Sequence, residues 1–402
     1  MITHENKLGM FVHWGIYSLT GLQEQALARF HMDHSEYENL MKCFNPVSYD
    51  PDRWIILAKN AGMKYICFTA KHHDGFCMWD TKQTDYNVMN TPYGKDVLKM
   101  LADACKRHGM LLSIYYSNPD WHHPFGYNPD SSHQWKAKYK DTVDTLKYRD
   151  FIKAQITELL TNYGDIYTFF WDIPPKIEDP SLNELIRTLQ PNILINDRGW
   201  SEGDFSTPER EYQTVGSERF LRMTEACNSV GQQSWGYRSN EDFYSQRYLC
   251  SAIDRYMALG ASYLLNVGPN GNGEITKEYE ERLIRVGEWY RHMEGCLECA
   301  QEDPFDYDVV RNKCIATKKN GKTYLHFYAG LISNAVSLKK YPSKPRSVRL
   351  MNTGEALPYD EIYLPEFFSA DDRCFDTRCL HIFGIHIDAL ENEPIVIEIA
   401  WE

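Results

Sequence analysis

The sequence predicts an α/β fold: a (β/α)8-like barrel of the TIM type, followed by a C-terminal antiparallel β-sandwich. Short, continuous apolar runs alternate with amphipathic stretches up to about residue 300, as in parallel strands that helices cover on both faces. After that point the runs become short and β-rich, and two of them flank the Asn320-Gly321 turn, which is typical of a hairpin. We therefore predict a barrel domain over residues 1–300 and a sandwich domain over residues 301–402.

Seven short runs are the candidate barrel strands, and polar residues follow most of them. They lie in LGMFVHWG, KYICFTAKHHDG, LLSIYYSNPDW, YTFFWD, NILINDRG, QQSWGY and ASYLLNVGP. The stretches between them have apolar residues at helical spacing; DPDRWIILAKNAG, for example, opens with an Asp-Pro pair and closes at Gly62. Because the active sites of such barrels lie at the carboxyl ends of the strands, the polar residues there are the candidate site residues.

Asp172 ends YTFFWD, the most apolar aromatic run in the chain. This run alone leaves two explanations equally open: the strand leaves the core and meets a polar loop at Asp172, or Asp172 belongs to a functional site. Adjacent residues on a strand point to opposite faces, so the His72-His73 pair does not indicate a metal site. Polar groups nevertheless recur at the ends of other runs, which favours a functional ring made of His13, His72, His73, Tyr115, Arg198, Glu209 and Trp235.

Composition and charge exclude several classes of function. The 402-residue chain carries a net charge of −13 and has no basic stripe, which argues against a nucleic-acid partner. No run is long and apolar enough to cross a membrane, and the first residues, MITHENKLGMFVHWG, lack the apolar core of a signal peptide. The 11 cysteines are odd in number and scattered, which indicates reduced thiols. We therefore predict a cytoplasmic protein that has no membrane partner.

The chemistry of the candidate ring points to a neutral, polyhydroxylated ligand. The chain has no G-x-S-x-G elbow, no Walker loop and no G-x-G-x-x-G after a strand, so we predict no nucleotide cofactor. Histidine and arginine side chains hydrogen-bond hydroxyl groups, and indole rings cover apolar C–H faces. Two carboxylates that flank a glycosidic bond act as nucleophile and as acid/base.

The motifs resemble those of the α-L-fucosidases of glycoside hydrolase family 29. The resemblance runs in order through LGMFVHWG, GMKYICFTAKHHDGFCMWDTKQTDYNV, GMLLSIYYSNPDW, NDRG, DFSTPE, SWGY and LLNVGPNGNGEI, and spans the first predicted domain. It implies a barrel followed by a β-sandwich. It also implies exo-acting hydrolysis of terminal α-L-fucosyl residues with retention of configuration, and neither a metal nor another cofactor.

The resemblance also implies roles for individual residues. Asp172 matches the position of the family's nucleophile. Glu209 in DFSTPE matches the favoured acid/base position, and Glu225 in MTEACNS is its rival. The predicted substrate-binding residues are His13, Glu24, His72, His73, Tyr115, Arg198 and Trp235.

This chain departs from the family pattern at three places near the predicted site. It has Phe170 where many relatives have Trp, Ile173 where many have Gly, and Gln25 where many have Trp. Two alternative functions therefore stay open: a retaining glycosidase of the same fold for a related sugar such as an α-L-galactoside, and a sugar-binding relative that has lost catalysis. The predicted partner is a fucosylated oligosaccharide or glycoside, and the oligomeric state, a homo-oligomer included, is left open.

Overall fold

The computed structural model describes residues 8–212, 214–216, 218–298, 300–363 and 378–402. The chain forms two compact units, which interleave along the sequence. The first comprises Met1–Arg210, Arg222–Phe243 and Tyr263–Ile284, and the second comprises Glu211–Leu221, Tyr244–Ser262 and Arg285–Glu402. The predicted domain boundary at residue 300 stays a prediction.

A seven-stranded parallel sheet forms the centre of the first unit. Its strands are β1 (Leu8–Val12), β2 (Tyr65–Lys71), β3 (Leu111–Ser117), β4 (Ile166–Asp172), β5 (Leu194–Ile195), β6 (Glu225–Ser229) and β7 (Ser262–Val267). Their spatial order is β5-β4-β3-β2-β1-β7-β6. Almost every residue of β1 to β4 is buried, as the continuous apolar runs of the sequence predict.

An irregular segment, residues 205–209, lies where an eighth strand would close the barrel. Isolated parallel bridges join Asn196 to Phe205 on one side, and Ser206 to Thr224 and Glu209 to Cys227 on the other. The segment therefore lies between the end of β5 and β6, and it carries Glu209. The predicted strand at QQSWGY is wrong. That segment is not a strand, and the sixth strand of the sheet, β6, has the sequence EACNS. The carboxylate of Glu24 accepts the N–H groups of Trp235 and Gly236, which are then not available to a neighbouring strand.

Helices connect the strands. They are α1 (Ala26–Arg29), α2 (His34–Glu38), α3 (Pro51–Asn60), α4 (Val97–His108), α5 (Thr145–Asn162), α6 (Pro180–Leu189), α7 (Gln246–Ala258) and α8 (Lys277–Leu297). Short 3-10 helices cover Ile16–Thr20, Asn39–Cys43, Val88–Asn90 and Ile387–Leu390. The Asp-Pro signal of α3 acts as predicted: the Asp50 side chain accepts the N–H of Arg53, and Pro51 occupies the first turn. In the described residues, no helix combines the length and the apolar character that a membrane span requires.

Two antiparallel sheets form most of the second unit. Their strands are β8 (Gln301–Glu302), β9 (Asp308–Val309), β10 (Ile315–Lys319), β11 (Lys322–Phe327), β12 (Val336–Lys340), β13 (Pro345–Leu350), β14 (Tyr359–Tyr363), β15 (Arg378–Ile382) and β16 (Ile395–Trp401). The sheet orders are β13-β16-β11-β10-β8 and β14-β15-β12-β9. Asn320 and Gly321 both have positive φ, 53° and 76°, and form the predicted turn between β10 and β11. Leu325 and Ile397 of the first sheet and Leu338 and Leu380 of the second share one buried core, as in a sandwich.

Candidate active site

A cavity of about 120 Å³ lies at the carboxyl ends of the parallel strands. Such a volume is small compared with the roughly 300–1,000 Å³ of pockets for drug-sized ligands. The structure brings all nine predicted catalytic and substrate-binding residues to its wall: His13, Glu24, His72, His73, Tyr115, Asp172, Arg198, Glu209 and Trp235. Phe11 and Phe170 also line the cavity, and both belong to an aromatic cluster in the buried interior of the first unit.

Asp172 is the last residue of β4, and three side chains surround its carboxylate. Tyr115 donates its hydroxyl to Oδ2 at 2.6 Å, and Arg198 donates Nη1 to Oδ1 at 3.1 Å. The Nε2 atom of His73 lies 3.7 Å from Oδ2. Burial alone would raise the pKa of Asp172, but the charge of Arg198 and the hydrogen bonds from Tyr115 and Arg198 outweigh it and hold that pKa below its ordinary value. The Asp172 carboxylate is therefore ionised near neutral pH.

Arg198 joins the two predicted catalytic carboxylates. Its Nη1 atom donates to Asp172 Oδ1 at 3.1 Å and to Glu209 Oε2 at 2.8 Å, and its Nη2 atom donates to the carbonyl of Thr207 at 2.5 Å. The two carboxylate oxygens on Nη1 therefore lie no more than about 6 Å apart, an upper limit that is compatible with the roughly 5–5.5 Å between the carboxyl groups of a retaining glycosidase. The side chain of Glu209 is 38% exposed, so solvent reaches it, whereas Asp172 is buried.

The histidines present mainly neutral rings to the cavity. Burial lowers the pKa of His13 and of His73 to about 4, and lowers that of His72 well below its ordinary value. His13 Nδ1 lies 2.7 Å from Asn266 Oδ1, while the Asn266 amide donates to Ser229 and to the carbonyl of Trp235. We infer from this network that His13 carries its proton on Nδ1, which leaves Nε2 as an acceptor for a hydroxyl group.

The hydrogen bonds around His73 fix its tautomer in the same way. The Ser117 hydroxyl donates to the carbonyl of Pro119 at 2.7 Å, so it must accept from His73 Nδ1, which lies 2.7 Å away. His73 Nε2 is then an acceptor beside Asp172 Oδ2. His72 stacks on Tyr115 at an interplanar angle of 7°, and its Nδ1 atom is buried with no hydrogen-bond partner among the described residues.

Trp235 forms an aromatic wall whose position two charged residues fix. Glu24 Oε2 accepts hydrogen bonds from the Ser234 hydroxyl and from the N–H groups of Trp235 and Gly236, at 2.9, 3.0 and 2.9 Å. The guanidinium of Arg210 lies 4.6 Å from the centre of the Trp235 ring. Glu24 lines the cavity as well as bracing this loop, so the structure gives it a contact with Trp235 that the sequence did not predict.

Glu225, the rival acid/base, does not line the cavity. It is the first residue of β6, whereas the cavity lies at the other end of the strands. It is 2% exposed, and its Oε2 atom accepts the hydroxyl of Tyr65, the first residue of β2, at 2.5 Å. Burial raises the pKa of Glu225 to about 7, although the Tyr65 hydrogen bond lowers it. Its Oε1 atom has no partner among the described residues.

Sequence reasoning missed several residues of the cavity wall. His133 lies on the long connection between β3 and α5, has φ 59°, and packs against His73 and Trp135. No periodic pattern surrounds it, so nothing in the sequence indicated that its ring reaches the site. Cys227 lines the cavity from β6, and it was missed because the sixth strand was predicted at QQSWGY and not at EACNS. Gln25 and Ile173 were noted as departures from the family pattern, and both line the cavity.

A model of the α-L-fucosidase family matches residues 3–294 of the sequence. The chain belongs to the α-L-fucosidase family. Members are glycoside hydrolases, so the prediction of an enzyme of this class is confirmed. The tissue α-L-fucosidase of Rattus norvegicus is 26% identical over 358 residues, which cover 80% of this chain and 75% of the relative.

Solved structures of α-L-fucosidases share the fold. Isoenzyme 1 from Paenibacillus thiaminolyticus is 29% identical, with a TM-score of 0.85 over 99% of this chain and 97% of the other. The unliganded α-L-fucosidase AlfC from Lactobacillus casei is 30% identical, with a TM-score of 0.64 over 71% of this chain and 95% of AlfC. These likenesses confirm the predicted fold class. They do not assign the roles of individual residues in this chain.

Proposed function

We propose that this protein is a retaining, exo-acting α-L-fucosidase that removes terminal α-L-fucosyl residues through a covalent glycosyl-enzyme. The observation that carries the proposal is the pair of carboxylates, Asp172 and Glu209, which Arg198 joins in one small cavity. The upper limit of about 6 Å on the distance between their Arg198-bound oxygens is compatible with direct attack of one carboxylate on the sugar. The small volume suits one terminal sugar unit.

In the first step Asp172 is the nucleophile. Its ionised carboxylate attacks the anomeric carbon as the bond to the leaving group breaks, and Glu209 gives its proton to the departing oxygen. Arg198 and Tyr115 hold Asp172 at fixed distances, so the nucleophile needs little reorganisation when the reaction begins. In the second step Glu209 takes a proton from water, the water oxygen bonds to the anomeric carbon, and the ester to Asp172 breaks.

The neutral rings around the cavity suit recognition of an uncharged sugar. His13 and His73 offer unprotonated nitrogens to hydroxyl groups, and Trp235 offers an apolar face to the C–H groups of the sugar and its methyl group. A variant of AlfC has been solved in complex with Fucα(1,6)GlcNAc. A fucosyl unit attached to another sugar is therefore the substrate class that we propose for this chain.

A panel of nitrophenyl glycosides, followed by NMR of the products, tests the proposal. We expect hydrolysis of the α-L-fucoside with the α-anomer of fucose formed first. Faster hydrolysis of an α-L-galactoside would show that the substrate is an α-L-galactoside and not an α-L-fucoside. If the folded protein binds fucose but hydrolyses no glycoside, it is a sugar-binding protein and not an enzyme. A first-formed β-anomer would rule out the covalent intermediate.

A further inference from the structure

Asn118 follows β3 directly and uses every polar atom it has. The residue is 3% exposed. Its backbone N–H donates to the carbonyl of Asp172 at 3.0 Å, and its own carbonyl accepts the hydroxyl of Tyr148 at 2.6 Å. Its side-chain oxygen accepts the indole N–H of Trp200 at 2.8 Å. Its side-chain amide nitrogen, Nδ2, is a donor as well.

The amide nitrogen of Asn118 joins two parts of the chain that are far apart in sequence. Nδ2 donates to the carbonyl of Ile173 at 3.0 Å and to the carbonyl of Arg198 at 3.1 Å. Ile173 is the residue after Asp172, and Arg198 is the residue that bridges Asp172 and Glu209. Arg198 lies in a turn after the two-residue strand β5, where no strand pairing fixes its backbone. The Asn118 amide thus ties this turn to the residue that follows β4, in addition to the hydrogen bonds between Asn196 and Trp171.

Ile173 needs such a tie because its backbone is strained. Its φ of 60° lies in the left-handed region, which a β-branched residue rarely adopts. A conformation of this kind is strained and persists only when surrounding contacts hold it. The hydrogen bond from Asn118 to the Ile173 carbonyl is such a contact, and it acts one residue from the proposed nucleophile.

We propose that the Asn118 side chain is a positioning residue, which holds the Asp172–Ile173 corner and the Arg198 turn in one geometry and so sets the spacing of the two carboxylates. This proposal rests on the proposed function for the roles of Asp172 and Glu209. Asn118 does not line the cavity, so it acts on the sugar only through the residues that it holds.

Kinetics of Asn118→Ala against a matched control test the proposal. The control is Asn87→Ala. Asn87 is also 3% exposed and also donates Nδ2 to two backbone carbonyls, but its partners, Thr81, Thr84 and Met89, do not line the cavity, whereas Ile173 and Arg198 do. Misplacement of catalytic groups by about 1 Å can cost on the order of 10² in rate, so we expect kcat to fall tenfold or more in Asn118→Ala, with KM changed less than about threefold. Asn87→Ala should lose stability similarly and keep its kcat.

The pH profile gives a second readout that a merely structural residue would not change. Arg198 helps to hold the pKa of Asp172 low, so a loosened Arg198 should move the acidic limb of kcat/KM to higher pH. The other charged or titratable groups that face Asp172 are His13, His73, Tyr115, His133, Glu209 and Cys227, and the substitution removes none of them.

A crystal structure of Asn118→Ala separates this proposal from the proposed function, because it needs no activity. We expect the Arg198 guanidinium to have left hydrogen-bond distance of Asp172 Oδ1. An unchanged bridge, or equal kcat losses in the two alanine variants, would overturn the positioning role even if fucosides are hydrolysed. If Asn118→Ala does not fold, Asn118→Asp takes its place, because aspartate keeps the acceptor for the Trp200 indole. A full wild-type kcat in Asn118→Asp would also overturn the positioning role.

Discussion

At the scale of the residue, the charge of Asp172 is the result of opposed effects. Its burial favours the neutral acid, while the charge of Arg198 and the hydrogen bonds from Arg198 and Tyr115 favour the carboxylate and prevail. His13 and His73 sit in the same buried region, and there burial prevails and keeps their rings neutral. The cavity thus combines an ionised carboxylate, the proposed nucleophile, with hydrogen-bonding rings that are neutral.

The first prediction concerns Asp172 itself. Asp172→Ala should lower kcat by at least about a thousandfold, because neither of the other carboxylates in the cavity wall, Glu24 and Glu209, occupies the position of Asp172 at the end of β4. Small anions such as azide should restore part of the turnover from the vacated space and release a fucosyl azide. Rates with and without azide, together with analysis of the product, check this. Near-wild-type activity in Asp172→Ala would show that another group is the nucleophile.

At the scale of the element, the two candidate acid/base residues differ in which part of the barrel carries them. Glu209 ends the irregular segment 205–209, at the mouth of the cavity and hydrogen-bonded to Arg198. Glu225 begins β6, so its side chain lies inside the barrel at the opposite end and meets Tyr65. A general acid must reach the departing oxygen, and only Glu209 is placed to do so.

A series of aryl α-L-fucosides tests this assignment. We expect Glu209→Ala to lose roughly 10²–10⁴-fold in rate on fucosides with poor leaving groups and much less on those with good ones, because a good leaving group needs no proton. Glu225→Ala should show no such dependence. The measurement is the slope of log kcat/KM against leaving-group pKa in each variant. A steep slope in Glu225→Ala with a flat one in Glu209→Ala would reverse the roles.

Much of this site was predictable, for a physical reason. Asp172, His72 and Tyr115 end continuous apolar runs, and such runs identify buried parallel strands and hence the edge where the site lies. Segment 205–209 has no such run, because it pairs only through isolated bridges, so the acid/base role of Glu209 rested on the resemblance. His133 and Asn118 act through loop backbone geometry and side-chain hydrogen bonds, which leave no periodic signal in the sequence.

At the scale of the whole molecule, stability and catalysis respond to different carboxyl groups. The raised pKa of Glu225, about 7 against an ordinary 4.5, means that the folded protein holds a proton that the unfolded chain has already released between these values. The stabilisation is therefore complete below pH 4.5 and is lost as the pH rises through 7. The loss amounts to about 3 kcal/mol at most for one fully buried group.

Glu225→Gln should remove this dependence, because glutamine does not ionise. We expect its melting temperature to decline less than that of the wild type between about pH 5 and pH 8, and to exceed the wild-type value at the alkaline end. Thermal unfolding at a series of pH values measures both. The same decline in both proteins would show that Glu225 does not titrate in this range.

The central claim, that Asp172 forms a covalent bond to the sugar, is tested most directly by trapping that bond. A 2-deoxy-2-fluoro-α-L-fucosyl fluoride should react, because fluoride leaves without a proton and the fluorine at C2 slows breakdown of the ester. After proteolysis, mass spectrometry should find one fluorofucosyl group on the peptide that contains Asp172, and none in Asp172→Asn. A label on a different carboxylate, or turnover of the reagent with no labelled peptide, would contradict the account.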